Sequence, residues 1–231
     1  MNDILPAALI DGGVITRITL LMIIMLPIVG TVIGFTKHVL GLKSLGLYAP
    51  IVMTYAFFRI GLSSGQNDWI DQVFYGFKVG VTLTVIVFLT SLVSHQITKK
   101  MRLHYSPKIA LVLTAVAASM YIVILMADYF EMDTFLEGSF VPIILLSTVA
   151  EQFVAIMAQK NVKTAINLTI TTGIVSFITF ALIIYEPFQN LIIDYPYLLL
   201  LTIMINLVIG KFTGLRLLEY IRFQQVIPNQ E

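Results

Sequence analysis

The sequence predicts an all-α, polytopic membrane protein: a bundle of seven transmembrane helices with the N-terminus outside the cytoplasm and the C-terminus inside. Of its 231 residues, 58% are hydrophobic and only 12% are charged, whereas soluble domains are about 45–50% apolar and about a quarter charged. Seven sustained apolar runs follow one another along the chain. The charged residues between these runs alternate in sign.

Each apolar run has a length that suits a membrane span. The predicted spans are Ile18–Thr36, Leu45–Leu62, Phe74–Val93, Ile109–Ala127, Phe140–Ala158, Ala165–Tyr185 and Tyr195–Gly210. Because a span takes roughly 20 residues, seven of them consume about 140 residues and leave only short connections. We therefore expect residues 1–231 to form a single membrane domain, with residues 211–223 continuing as an amphipathic helix on the cytoplasmic surface.

The orientation follows from the basic residues. Lysines and arginines cluster after the first, third, fifth and seventh spans, at Lys37, Lys43, Lys99, Lys100, Arg102, Lys108, Lys160, Lys163, Lys211, Arg216 and Arg222. The alternate segments are acidic, as in Asp128–Gly138. By the positive-inside rule the basic segments are cytoplasmic. An odd number of spans then places the N-terminus outside and the C-terminus inside.

A carboxylic acid within an apolar run is the sharpest candidate for a functional group. Glu151 lies just past the middle of the fifth predicted span, with Gln152 beside it, and a charge at that depth costs about 2.5–3.5 kcal/mol on insertion scales. We expect Glu151 to face the bundle interior, hydrogen-bonded to the backbone near Pro50, to Tyr48 or to Asn206. The sequence leaves open whether this intramembrane polar site, Glu151, Gln152 and Asn206, is structural or functional.

Three glycine pairs at i and i+4 predict close helix packing: Gly30 with Gly34, Gly76 with Gly80, and Gly210 with Gly214. Small residues at this spacing let helix backbones approach each other. Packing within one bundle and a dimer interface both remain open.

The C-terminal tail is a candidate docking element for a partner. Arg216 and Arg222 flank Glu219 at a spacing of three residues, which allows modest surface ion pairing. The alternative is a plain extension of the last span, anchored by its arginines to lipid headgroups.

Residue types argue against catalysis. The chain has no cysteine, which excludes disulfides and thiolate metal sites. Its three histidines lack the spacing of a zinc or di-iron site. We therefore expect no enzyme, no metal and no cofactor. A net charge of +1 gives no indication of nucleic-acid binding.

Three segments carry a family resemblance: 41–50 (GLKSLGLYAP), 150–153 (AEQF) and 213–220 (TGLRLLEY). Together they resemble the bacterial seven-helix domain that is usually fused to an inactive transglutaminase-like domain, over nearly the whole chain from Pro27 to Phe223. The resemblance implies a transglutaminase-like domain on the extracytoplasmic side, which this chain lacks. The family pattern favours Arg after the Glu of the fifth span, where this chain has Gln152.

The resemblance implies a function in the bacterial cytoplasmic (inner) membrane. Family members resemble non-catalytic components encoded beside ATP-grasp peptide ligases and aspartic-type peptidases. We expect a membrane receptor or scaffold that couples the extracytoplasmic face to a cytoplasmic partner such as an ATP-grasp ligase, with a transglutaminase-like or peptidase partner outside. Homo-oligomer formation stays open, and the alternative function is a transporter or channel that uses Glu151.

Overall fold

The computed structural model describes residues 17–66, 68–101, 104–129 and 133–211. Within these ranges the chain is helical and contains no strand. The α-helices are α1 (Arg17–Phe35), α2 (Tyr48–Leu62), α3 (Trp69–Lys100), α4 (Tyr105–Tyr129), α5 (Asp133–Gln159), α6 (Val162–Ile184), α7 (Glu186–Asp194) and α8 (Leu198–Lys211). A π-helical turn, Thr36–Leu40, extends α1.

Each predicted span contains a helix, so the helical membrane fold is confirmed. Five helices are long and apolar enough to cross a bilayer: α1 with its π-helical turn, α3, α4, α5 and α6. The short helix α2 has 15 residues, about 22 Å at 1.5 Å per residue. These five helices account for five of the seven predicted crossings. The number seven and the orientation of the termini remain predictions.

A short helix that the sequence did not predict, α7, lies directly before the last predicted span. Helices α7 and α8 meet at an angle of 104° and would together make a sixth crossing. The break falls at Tyr195 and Pro196, because a residue before proline is disfavoured in the α conformation and proline has no N–H to continue the helix. The sequence-based boundary at Tyr195 thus falls at a bend between two helices.

The short helix α2 lies at the centre of the bundle. It packs against α1, α3, α5 and α6, and its buried residues cover more than half of its circumference, including Met53, Phe57, Phe58 and Ile60. Helix α4 packs against α3 and α5, whereas α8 packs against α1. The core is therefore built around α2.

The outer surface of the bundle is apolar. In the most apolar 18-residue stretch of each of the five long helices, 39% or less is buried. Large aliphatic side chains such as Ile170, Ile174 and Ile178 of α6 are more than half exposed. Exposing such a surface to water is unfavourable, whereas contact with lipid chains is favourable, as expected for a bundle in a bilayer.

Candidate functional site

Glu151 lies on the outside of the bundle, which corrects the expectation that it faces the interior. Its side chain is exposed, on a stripe of exposed positions along α5: Val141, Ile144, Thr148, Glu151 and Ala158. We call this stripe the Glu151 face. The preceding Ala150 and the following Phe153 and Val154 are buried, because they lie on the side of α5 that packs against α2 and its neighbours.

The carboxylate of Glu151 therefore has a different environment from the one predicted. Among the described residues it makes no hydrogen bond or ion pair. The carbonyl oxygen of Pro50 accepts hydrogen bonds from Thr54 Oγ1 at 2.7 Å and Ser176 Oγ at 3.0 Å instead, and Tyr48 is 72% exposed. Two of the three predicted partners thus make no hydrogen bond with Glu151.

Asn206 lies in a separate contact. Its Nδ2 donates a hydrogen bond of 2.8 Å to Thr31 Oγ1 and so joins α8 to α1. Its Oδ1 would lie 3.9 Å from a Cβ atom added at Gly34. Asn206 therefore links two helices, as interhelical amides do in membranes, and it does not form one site with Glu151.

Gln152 points toward the loop that precedes α2. Its Oε1 would lie 3.9 Å from a Cβ atom added at Gly46, and the side chain is partly buried. Gln152 and Glu151 are adjacent in sequence but face different surroundings, because successive residues of an α-helix point about 100° apart. The three residues of the predicted polar site thus lie in three places.

The glycine pairs differ in their surroundings. A Cβ atom added at Gly80 would lie 2.4 Å from Phe57 Cδ1, and one at Gly76 would lie 2.6 Å from Phe180 Cζ. At Gly30 and Gly210 nothing lies within 4 Å. Among the described residues, Gly76 and Gly80 on α3 are therefore the only pair in which both glycines lie in close contact with a neighbouring helix. These contacts are with α2 and α6.

Two buried features of the bundle were not recognised from the sequence. Gly61 lies within α2, where an added Cβ atom would meet Ile184 Cδ1 at 2.8 Å, so it lies in the same close contact as Gly76. His95 is 5% exposed near the end of α3, and its Nδ1 has no hydrogen-bond partner among the described residues. Ser91, Ser94, His95 and Thr98 stand at i, i+3, i+4 and i+7, and this helical spacing was the available signal for a buried polar stripe.

Part of the predicted site lies outside the described residues. This applies to Gly214 and to the docking candidates Arg216, Glu219 and Arg222. The docking role of the tail remains a prediction.

An all-helical bundle with an apolar outer surface and five or six candidate spans defines a polytopic helical membrane protein. The particular family follows from a match over residues 2–227 to the family described as seven transmembrane helices usually fused to an inactive transglutaminase. The chain belongs to this family, which confirms the resemblance seen in the sequence. No transglutaminase-like part is present in its 231 residues. No curated protein and no solved structure matches the chain.

Proposed function

We propose that the protein is a non-enzymatic membrane scaffold whose Glu151 face binds a transmembrane helix of a partner protein. The family supports a non-catalytic role, because its members are usually fused to an inactive transglutaminase. The observation that carries the proposal is the exposed position of Glu151 near the middle of a membrane-spanning helix.

The depth of Glu151 makes lipid contact unfavourable. The candidate span of α5 is Val141–Gln159, and Glu151 is about 15 Å from its start at 1.5 Å per residue. That distance corresponds to the middle of a hydrocarbon core about 30 Å thick. Acids at this depth are rare and almost always face protein or a water-filled cavity. A partner helix on the Glu151 face removes the carboxyl group from lipid.

The chemistry of this face favours a different protein over a second copy of the chain. A two-fold symmetric dimer uses the same patch on both subunits, so the two Glu151 side chains would lie close together. Two carboxylates that close repel each other, which disfavours such a dimer. The complementary partner is a helix with a hydrogen-bond donor, such as an amide or a basic side chain, at the same depth.

The choice of partner proteins rests on the family resemblance. We propose a transglutaminase-like or peptidase protein on the extracytoplasmic side and an ATP-grasp peptide ligase on the cytoplasmic side, with the chain in a bacterial cytoplasmic membrane. The alternative function, a transporter that uses Glu151 in an internal polar cavity, receives no support from the exposed position of this side chain.

Co-purification of the tagged chain with a transglutaminase-like protein that carries a transmembrane helix, and with an ATP-grasp ligase, tests the proposal. Glu151→Leu removes the hydrogen-bonding group, whereas Glu151→Gln keeps it. Interhelical hydrogen bonds in membranes contribute about 0.6–1.7 kcal/mol, so we expect the Leu variant to lose about three- to twentyfold in recovered partner. The Gln variant should retain most of it.

Thr114→Leu is the matched control, because Thr114 is an exposed polar residue on a different helix, α4. It should leave recovery unchanged. Equal recovery with Glu151→Leu and Thr114→Leu would contradict the scaffold at this face. Solute flux through liposomes containing the purified chain, lost in Glu151→Gln, would favour the transporter.

A further inference from the structure

A small pocket opens at the end of the bundle where the basic residues lie. It has a volume of about 310 Å³, within the lower range of pockets that bind small molecules. It is formed by the π-helical turn, the loop before α2, the end of α5 and the first part of α6. Its lining residues are Lys37, His38, Leu42, Lys43, Ser44, Gly46, Ile156, Lys160 and Leu168.

The lining of this pocket is strongly basic. It contains three lysines and one histidine, and no aspartate or glutamate is among its described lining residues. Lys43 and Lys160 are exposed, and Lys37 is partly exposed, so the ammonium groups are accessible to a ligand. Three positive charges around one cavity repel each other, and an anion with several oxygen atoms relieves that repulsion.

The wall of the pocket is held in place by the backbone. Gly41 ends the π-helical turn in the left-handed conformation (φ 82°), and Leu42 N donates a hydrogen bond to Thr36 O at 3.2 Å. The buried Leu45 inserts between helices, and its N–H donates to Thr172 Oγ1 of α6 at 2.9 Å. The loop is thereby attached to both α1 and α6 by contacts that involve no lysine side chain.

We propose that this pocket, which we call the basic pocket, binds a phosphate group of an anionic ligand. Lysine ammonium groups bind phosphate oxygens through charge-assisted hydrogen bonds, and Ser44 lies in the same lining. Leu42, Ile156 and Leu168 add an apolar wall. Basic pockets between membrane helices bind anionic lipid headgroups, so the phosphate can belong to a phospholipid or to a free phosphorylated molecule.

This proposal is independent of the partner helix at Glu151. It gives a physical role to segment 41–50, which was singled out in the sequence without a function. The glycines at positions 41 and 46 have positive φ values of 82° and 78° and shape the loop. Lys43 and Ser44 contribute directly to the lining.

The test measures binding of phosphatidylglycerol to the purified full chain in detergent, by the rise in unfolding temperature with lipid concentration. Phosphatidylcholine is the neutral reference, and inorganic phosphate is the competitor. The variant replaces Lys37, Lys43 and Lys160 by Gln together. At 0.15 M salt, where the Debye length is about 8 Å, charges outside the pocket are largely screened.

The matched control replaces Lys99, Lys100 and Lys108 by Gln. This replacement removes the same three positive charges, but none of these lysines lines the pocket. Each lysine near an anionic lipid strengthens binding several-fold. The pocket variant, which loses three lysines, should therefore bind phosphatidylglycerol at least about tenfold more weakly. The control should stay within about threefold of the wild type. Replacing the three pocket lysines by Arg should preserve binding.

The source of the phosphate is decided by the competitor. Phosphatidylglycerol binding that inorganic phosphate does not displace supports a lipid headgroup, whereas stabilisation by inorganic phosphate alone supports a free phosphorylated molecule. Equal weakening by the pocket and control variants, or no binding of either probe, would overturn the proposal. If the triple variant does not fold, the single change Lys43→Gln at an exposed side chain decides, with an expected loss of about threefold.

Discussion

Replacing Gly80 by alanine tests whether the α2–α3 contact depends on a missing side chain. The added Cβ atom would lie 2.4 Å from Phe57 Cδ1 and 2.8 Å from Phe57 Cε1. Carbon atoms in contact prefer about 3.5–4.0 Å, so the phenyl ring must move by about 1 Å. Phe57 is 1% exposed and its ring packs edge-on against Phe180 at 6.1 Å. The ring is buried but also lines a pocket of about 420 Å³, so the cost of the substitution depends on how far the ring can shift into that space.

Two opposing terms set the size of the effect. Overpacking a filled core costs about 1–3 kcal/mol, whereas alanine is more favourable than glycine within a helix by up to about 1 kcal/mol. We expect Gly80→Ala to lower the free energy of unfolding by about 1–2 kcal/mol. Gly30→Ala is the same substitution at a site where no atom of the described residues lies within 4 Å of the added Cβ atom. It should leave the free energy of unfolding unchanged or raise it by up to about 1 kcal/mol.

Unfolding in mixed micelles with increasing dodecyl sulfate measures both variants. The single tryptophan, Trp69, serves as the fluorescent probe, because its ring contacts Tyr185 at a centroid distance of 5.2 Å. This contact lies away from both substituted positions. If Gly80→Ala proved as stable as Gly30→Ala, the argument from close packing at α3 would be wrong.

Three further predictions concern topology, a helix contact and the tail. In this cysteine-free chain, an impermeant maleimide added to intact cells should label a cysteine at Asp133 and spare one at Lys100, because of the charge segregation. Asn206→Leu should lower the free energy of unfolding by about 0.6–1.7 kcal/mol, measured in the same micelles, since it removes the hydrogen bond between α8 and α1. Charge reversal of Arg216 and Arg222 to Glu should leave folding intact and abolish co-purification of the cytoplasmic partner.

Each of these has a contradicting result. The reverse labelling pattern would show that the predicted topology is inverted. An unchanged unfolding curve for Asn206→Leu would show that the amide does not stabilise the contact between the two helices. Unchanged partner recovery after charge reversal would leave the tail as a plain extension of the last helix.

The membrane class and the helices could be predicted from the sequence because each depends on one segment at a time. In lipid, a helix satisfies its own backbone hydrogen bonds, so an apolar run such as Ala165–Tyr185 indicates a helix without knowledge of its neighbours. The structure has α6 at Val162–Ile184. Charge alternation likewise depends only on the order of residues along the chain.

The direction in which a side chain points was not predictable in the same way. One position along an α-helix corresponds to about 100° of rotation, and packing against neighbouring helices sets that rotation. Ala150 is buried and Glu151 is exposed. The rotation of α5, which its packing sets, therefore decides that Glu151 faces outward and not into the bundle. The glycine pairs make the same point, since Gly30 and Gly80 have equal spacing to their partners but opposite surroundings.

The sequence by itself determined that this protein is a helical membrane bundle with one basic set of connecting segments, because apolar length and charge act locally. Only the tertiary structure decided which groups meet. Lys43 and Lys160 lie 117 positions apart in the chain but line one pocket, whereas Glu151 lies on the outer surface of the bundle and Asn206 joins α8 to α1. Such meetings depend on how the helices pack around α2, and packing is a property of all the segments together.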